Sequence, residues 1–195
     1  MKKTILALAL AALVAPSAFG LSFNWSVSGI SFDGTRFNKT TGANVTAYLL
    51  YLGNNAGYST TGYTLTEEST ATTIISSVGT KAADKTGTTA AGKISDDFAF
   101  DSTKYGNNDV FGVLLSYTSE GKTYFNLSSS TYKLSGLTDD PTQTIADASF
   151  TFSYSGPAES NKISSGSGWV QAVPEPSTAA LALAGLALLL KRRKA

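Results

Sequence analysis

Beyond its first apolar stretch the chain opens with strict alternation, every second residue of Leu21-Ser22-Phe23-Asn24-Trp25-Ser26-Val27 being apolar. A period of two places Leu21, Phe23, Trp25 and Val27 on one face of a β-strand. After Ser28-Gly29 the apolar phase moves to Ile30 and Phe32, which predicts a bulge at Gly29, and Asp33-Gly34 then turns the chain. Val45 to Leu52 is apolar in both phases, the pattern of a central strand buried on both sides, and Gly53-Asn54-Asn55 ends it. Asp97 to Asp101 is a short alternating strand, followed by the turn Gly106-Asn107-Asn108-Asp109. Val110 to Thr118 and Lys122 to Leu127, joined by Ser119-Glu120-Gly121, form a β-hairpin in which Gly121 takes the left-handed conformation of a tight turn. Tyr132 to Leu137 and Ala148 to Tyr154 supply two more strands, with a turn at Asp139-Asp140-Pro141.

The middle of the chain is less legible. Ala71 to Val78 reads as helix from its Ala content and the nearby Glu67 and Glu68, and as strand from Thr72-Thr73-Ile74-Ile75. Gly79 to Gly92 is small and polar and reads as a mobile loop, the segment most open to proteolysis. Short strands, frequent Gly, Asn and Asp turns and the lack of a long soluble helix predict an all-β fold, a single antiparallel β-sandwich or jelly-roll-like domain over 21–155. Residues 156–172 turn to Pro, Ser, Asn and Gly and read as a flexible linker lifting the domain off a membrane. Within it, Trp169-Val170 either packs back on the body or lies at the membrane interface.

Both ends carry addressing features. Lys2 and Lys3, the apolar segment Ile5 to Ala15, the breaker Pro16 and small residues up to Gly20 form a secretory signal peptide over 1–20, too short to cross a bilayer. Cleavage is expected after Gly20, with Ala18 the second choice. At the other end, Val173-Pro174-Glu175-Pro176-Ser177-Thr178 precedes an apolar run to Leu190 and the basic stop Lys191-Arg192-Arg193-Lys194. A helix over about 177–190, rising ~1.5 Å per residue, reaches only ~20 Å of the ~30 Å hydrocarbon core, so it spans as a weak anchor. The basic cluster favours the cytoplasmic face and leaves the body on the other side.

These C-terminal residues, and only these, resemble the PEP-CTERM sorting signal of bacterial exported proteins. The resemblance implies export through the general secretory translocon with signal peptidase, transient inner-membrane anchoring, and processing near the motif by an exosortase-type membrane enzyme. It also implies delivery to the cell surface or extracellular matrix, in association with exopolysaccharide. The residues that carry the likeness are Val173, Pro174, Glu175 and Pro176 as sorting motif and Lys191, Arg192, Arg193 and Lys194 as membrane stop. An ordinary single-pass anchor with a proline-stiffened linker is the plainer reading of the same residues.

Composition narrows the chemistry. The chain has neither Cys nor His, and its formal net charge is +1. Disulfides, a Ser-His-Asp triad, a Cys nucleophile and Cys- or His-ligated zinc are thereby excluded. The basic residues of the body are scattered, unlike the clustered charge of a nucleic-acid binder. Asp96, Asp97, Asp101, Asn107, Asn108, Asp109, Asp139 and Asp140 have the hard oxygens calcium prefers, but turn chemistry is the favoured explanation, since no EF-hand spacing is present. No metal or cofactor is expected. Glu67, Glu68, Glu120 and Glu159 are the glutamates a carboxylate-pair glycosidase would draw on, and none has an acid/base context, so no enzymatic activity is expected. Among the aromatics Trp25, Tyr48, Tyr58, Tyr63, Tyr117 and Tyr124, the loop residues Tyr58 and Tyr63 are the candidate sugar contacts of an alternative carbohydrate-binding reading. The sequons at Asn24, Asn38, Asn44 and Asn126 read as surface chemistry.

Overall fold

A computed structural model of the protein describes residues 20–54, 57–58, 63–64, 69–138, 140, 143–156 and 162–172. The expected signal peptide, Glu67, Glu68, Asp139, Glu159, the sorting motif, the apolar run and the basic cluster lie outside the described residues, Gly20 excepted. In chain order the elements are β1 (Leu21–Val27), β2 (Ser31–Phe32), β3 (Thr35–Arg36), β4 (Val45–Asn54), β5 (Tyr63–Thr64), α1 (Ala71–Val78), β6 (Thr80–Thr86), β7 (Ile94–Phe100), β8 (Asp109–Ser119), β9 (Lys122–Leu127), β10 (Tyr132–Lys133), β11 (Ala148–Phe150), β12 (Lys162–Ile163) and β13 (Val170–Gln171). The fold is all-β apart from the single short helix among the described residues, as the alternation predicts.

The main sheet has the order β13-β9-β8-β4-β6, with β10 also on β8, and a smaller sheet has the order β11-β1-β7. Period-two alternation explains how the main sheet serves two cores at once. Val45, Ala47 and Leu49 of β4 and Phe111, Val113 and Leu115 of β8 join Phe23, Trp25 and Val27 of the small sheet in one buried cluster. Leu50 and Leu52, with Val110 and Leu114, face the other way and pack on Ile74 and Ile75 of α1. The central strand buried on both sides is therefore β4, lying between β8 and β6. The first core is aromatic: Phe111 lies 5.4 Å from Phe23 and 5.8 Å from Phe98, ring centre to ring centre. Such edge-on contacts add to the area these rings bury.

Turn chemistry holds at two of the expected turns, whereas Gly53 and Asn54 belong to β4 and Asn55, Asp139 and Pro141 lie outside the described residues. Asp33-Gly34 and Glu120-Gly121 have positive φ at both residues, the mirror-image turn that suits the twist of a hairpin. Gly29 is left-handed, but it ends β1 rather than bulging it, since Ile30 N donates to Gly92 O at 2.9 Å outside any strand. Ala71 to Val78 is helix because Ala71, Ile74, Ile75 and Val78 share one face at helical spacing and line the second core. Thr70 caps it, accepting from Thr73 N while its own N–H donates to Thr73 Oγ1.

Four expectations are corrected. Gly79 to Gly92 is not a loop throughout: Thr80–Thr86 pairs with β4 from Thr46↔Thr86 to Tyr51↔Thr80. An edge strand with exposed side chains needs only its backbone ladder and β-branched residues, so its apolar signal is weak. The pairing is not purely antiparallel, because β11 runs parallel to β1 with Trp25 opposite Ala148. The late strands are shorter than the alternation implies, spanning only Tyr132–Lys133 and Ala148–Phe150. Finally, the expected linker over 156–172 is folded in its described part: Lys162–Ile163 pairs with β5, and Val170–Gln171 pairs with β9. Gly-Ser composition marks tight turns as well as linkers, and the buried Trp169 decides which this is.

Candidate functional site

The sorting motif starts where the body stops. Gly168 has a φ of +82° and lies so close to Ser155 O that a Cβ would overlap it, which lets the chain swing inward. Trp169 N then donates to Ser155 O at 3.0 Å. The indole of Trp169 is 0% exposed, and its Nε1–H donates to Ser31 O at 2.6 Å. Trp169 fills the first core beside Phe32 and Tyr117, whereas the next side chain, Val170, enters the second. Val170 stands opposite Phe125, Gln171 opposite Tyr124, and Ala172 N donates to Thr123 O at 2.9 Å. Val173 follows at once, so the folded sheet and the motif are adjacent in the chain.

This exit lies at the β8–β9 hairpin end, where Thr118 faces Thr123 and Ser119 faces Lys122. At β8's other end, Tyr105 packs against Phe111 and, 5.5 Å away, against Phe98. A surface hollow of about 410 Å³ there is lined by Gly20, Phe98, Ala99, Phe100, Asp101, Lys104 and Tyr105. Its rings pack on one another, Phe98 and Phe100 stacked and Tyr105 edge-on to both, at 78° and 90°.

The candidate sugar contacts are placed otherwise than expected. Tyr58 lies across Gly112, where a Cβ would overlap its hydroxyl. Ser128 Oγ accepts from Val113 N and donates to Ser130 O, so the 2.8 Å contact with Tyr58 has the tyrosine as donor. Burial pushes the Tyr58 pKa well up. Tyr63 pairs with Ile163 and, like Tyr58, packs against the second core. Neither stands free in solvent, and Gly112, too small to signal itself, is what makes room for Tyr58. Trp25 and Tyr124 are buried, while Tyr48 and Tyr117 are partly buried against the cores.

The carboxylates are dispersed and engaged locally. Asp96 pairs with Lys85 at 3.4 Å, and Asp97 accepts from Asn24 Nδ2. Asp101 accepts from Thr103 N at 2.8 Å, which holds its carboxyl below the usual range. Asp109 accepts from Gly106 N and from the Tyr51 hydroxyl, and burial first, then this charge, raises the Tyr51 pKa. Among the described residues no group of three or more acidic side chains is placed to hold a metal ion. Glu120 occupies the hairpin turn and is exposed. The sequons are not uniformly superficial: Asn126 is 0% exposed, its Nδ2 donating to Ser153 O at 2.7 Å.

Of the two places open to Trp169 from sequence, the body or the membrane interface, the structure shows the first, with the indole buried in the first core. No helix among the described residues is long and apolar enough to cross a membrane. No curated protein and no solved structure matches the chain. The tail that leaves the sheet at Ala172 does have a known counterpart: residues 172–194 match the PEP-CTERM protein-sorting motif.

Proposed function

We propose that the protein is an exported, non-enzymatic component of the cell surface or extracellular matrix, displayed after exosortase processing of its C-terminal tail. The observation that carries this reading is the sorting-motif match over 172–194. A Pro-flanked glutamate, a short apolar run and a basic stop are the parts such an enzyme needs: a stiff, extended recognition element, a depth gauge and an orientation signal. In this reading the signal peptide brings the chain through the secretory translocon and is removed by signal peptidase. The body, two sheets packed as a β-sandwich, is then left outside the cytoplasm as a structural or adhesive unit. Glu175 between Pro174 and Pro176 is the recognition element, and the apolar run presents it at a fixed depth.

The short distance from sheet to motif has a consequence for this display. From Ala172 to Ala179 the chain can extend at most about 25 Å, so the β8–β9 end of the body stays near the membrane until the tail is cut. Exopolysaccharide contact would then come through the assembled surface. A carbohydrate site built on Tyr58 has little support, because that hydroxyl is committed to Ser128.

Intact mass of the protein from membrane and extracellular fractions of the native host tests the proposal. Loss of residues up to about Gly20 and of the segment beyond the motif is the expected result, and Glu175→Ala or Pro174→Ala should leave the full tail in place. Retention of Lys191 to Lys194 on every molecule would make it a plain membrane-anchored protein. Retarded migration of the body in the host's polysaccharide, abolished by Tyr58→Ala, would favour the carbohydrate-binding alternative.

A further inference from the structure

We propose that the edge strand β13 is a latch that must leave β9 before the processing enzyme can take the sorting motif. The inference rests on the processing reading above and concerns the residues just upstream of the motif.

The geometry is that of a strand docked, among the described residues, on one side only. In the main-sheet order β13-β9-β8-β4-β6 it is terminal, and it spans just Val170–Gln171. The Ala172 amide still donates to Thr123 O at 2.9 Å, which makes Ala172 and Thr123 a hydrogen-bonded antiparallel pair. A segment recognised by strand addition is held extended through its own main-chain hydrogen bonds, and an enzyme that grips the motif in this way needs the residues beside it free. A motif whose upstream neighbour is bonded into a sheet offers no such segment, because β9 already occupies the backbone groups of Val170 and Ala172. Releasing β13 frees three residues, which reach about 10 Å. Release stops at Trp169, whose indole is buried and bonded to Ser31 O. The latch is thus small enough to open and pinned at a defined point, so the rest of the body stays folded while the motif is drawn away.

The pairing itself supplies the test. Since Ala172 and Thr123 are hydrogen-bonded partners, Gln171 and Tyr124 form the alternate, non-hydrogen-bonded pair. Such pairs hold their Cα atoms about 4.5 Å apart, within the span of a disulfide. The chain has no cysteine of its own to compete. The full-length Tyr124→Cys/Gln171→Cys variant and the wild type are incubated with membranes of the native host, with and without dithiothreitol, and tail removal is followed by intact mass. The oxidised variant should be shortened about tenfold or more slowly than the same variant reduced, since opening of the edge is blocked. Comparing two redox states of one variant cancels any loss of stability from removing the Tyr124 ring. A Gly-Ser insert of about six residues between Ala172 and Val173, reaching ~13 Å, should restore the rate in the oxidised variant. Equal rates for oxidised and reduced forms, with the wild type processed normally, would overturn the latch alone. A wild type that is never shortened would overturn the processing reading and the latch with it.

Discussion

The two ends of the body adjoin segments read as removable, yet they are fastened in opposite ways. At the N-terminal end, β1 begins at Leu21, directly after the expected signal-peptide cut, and lies between β7 and β11. Its whole length pairs with β7, from Leu21↔Phe100 to Val27↔Ile94. At the C-terminal end, β13 pairs among the described residues on one side only, with β9. The difference fits the order of events in export. A signal peptide is cut while the chain emerges, before β1 has partners, so the first strand can sit in the middle of a sheet. A sorting signal at the far end meets its enzyme after the body has folded, and only an edge strand can then yield without unfolding the core.

Each end also has one of the chain's 2 tryptophans, both fully buried, and they provide the sharpest contrast. Truncating either to Ala should cost about 3–5 kcal/mol in urea unfolding, with Trp169→Ala toward the lower figure because a terminal segment can relax around the void. A larger loss for Trp169 than for Trp25 would reverse the comparison. Replacement by Phe isolates the hydrogen bond, because Trp25 Nε1 has no partner among the described residues while Trp169 Nε1 is bonded to Ser31 O. Trp169→Phe should therefore cost the more of the two, by about 1–3 kcal/mol.

Amide exchange measures the fastening directly. Amides of Phe23 and Trp25, inside β1, should exchange only through global unfolding, whereas Ala172 should exchange at least about a hundredfold faster through local release of the edge. Equal protection at the two ends would mean that β13 is as firmly held as β1, and mass spectrometry or NMR on the intact chain decides this.

How legible these ends were follows from what fastens them. Strand β1 announces itself because one of its faces is buried, and burial on one face writes a period-two code in the sequence. Strand β6 writes almost none: most of its side chains lie in solvent, and its order comes from backbone bonds to β4 that any residue but proline could make. The C-terminal segment was misread for a related reason. Gly166 and Gly168 look like slack, but both adopt left-handed conformations in an ordered turn, and the single residue that reveals it, Trp169, is anchored to a carbonyl 138 positions earlier. Sequence shows residue types; which of several partners a lone tryptophan meets is a property of the tertiary packing. Tyr58 teaches the same lesson, since its glycine-rich surroundings point to exposure and Gly112, far away in sequence, supplies the niche.

Tyr58 allows a finer test of the layer into which Val170 points. In Tyr58→Phe, Ser128 Oγ keeps both Val113 N and Ser130 O, so no buried group is orphaned, and the loss should be about 0.5–1.5 kcal/mol. The pH dependence has a definite sign. Burial raises the folded pKa of Tyr58 above its ordinary value of 10.0, and burial does the same to Tyr154. The protonated form is thus favoured in the folded state. The stability this contributes is complete below the unfolded pKa and is lost as pH rises from there through the folded pKa. Unfolding by urea should become easier above pH about 10, and Tyr58→Phe should flatten that slope. An unchanged alkaline slope in the variant would mean that Tyr58 is not sealed in the layer.

The smallest effect concerns the hairpin tip beside which the tail leaves. Glu120 adopts a φ of 51°, a left-handed conformation that a residue with a long side chain enters at a cost, and Gly121 beside it has a φ of 75°. This two-residue turn is the one for which Asn-Gly is the preferred pair. Glu120→Asn should therefore stabilise the body by about 0.5–1 kcal/mol. Glu120 is exposed, so no packing is lost. The gain belongs to β8 and β9, whereas the latch belongs to β13, whose bonds to Phe125 and Thr123 are untouched by the turn. Global stability measured by urea should rise while the exchange rate of the Ala172 amide stays as in the wild type. If both change together, the edge opens only with the sheet, and the distinction between a firmly held N-terminal strand and a lightly held C-terminal one collapses into a single cooperative unit.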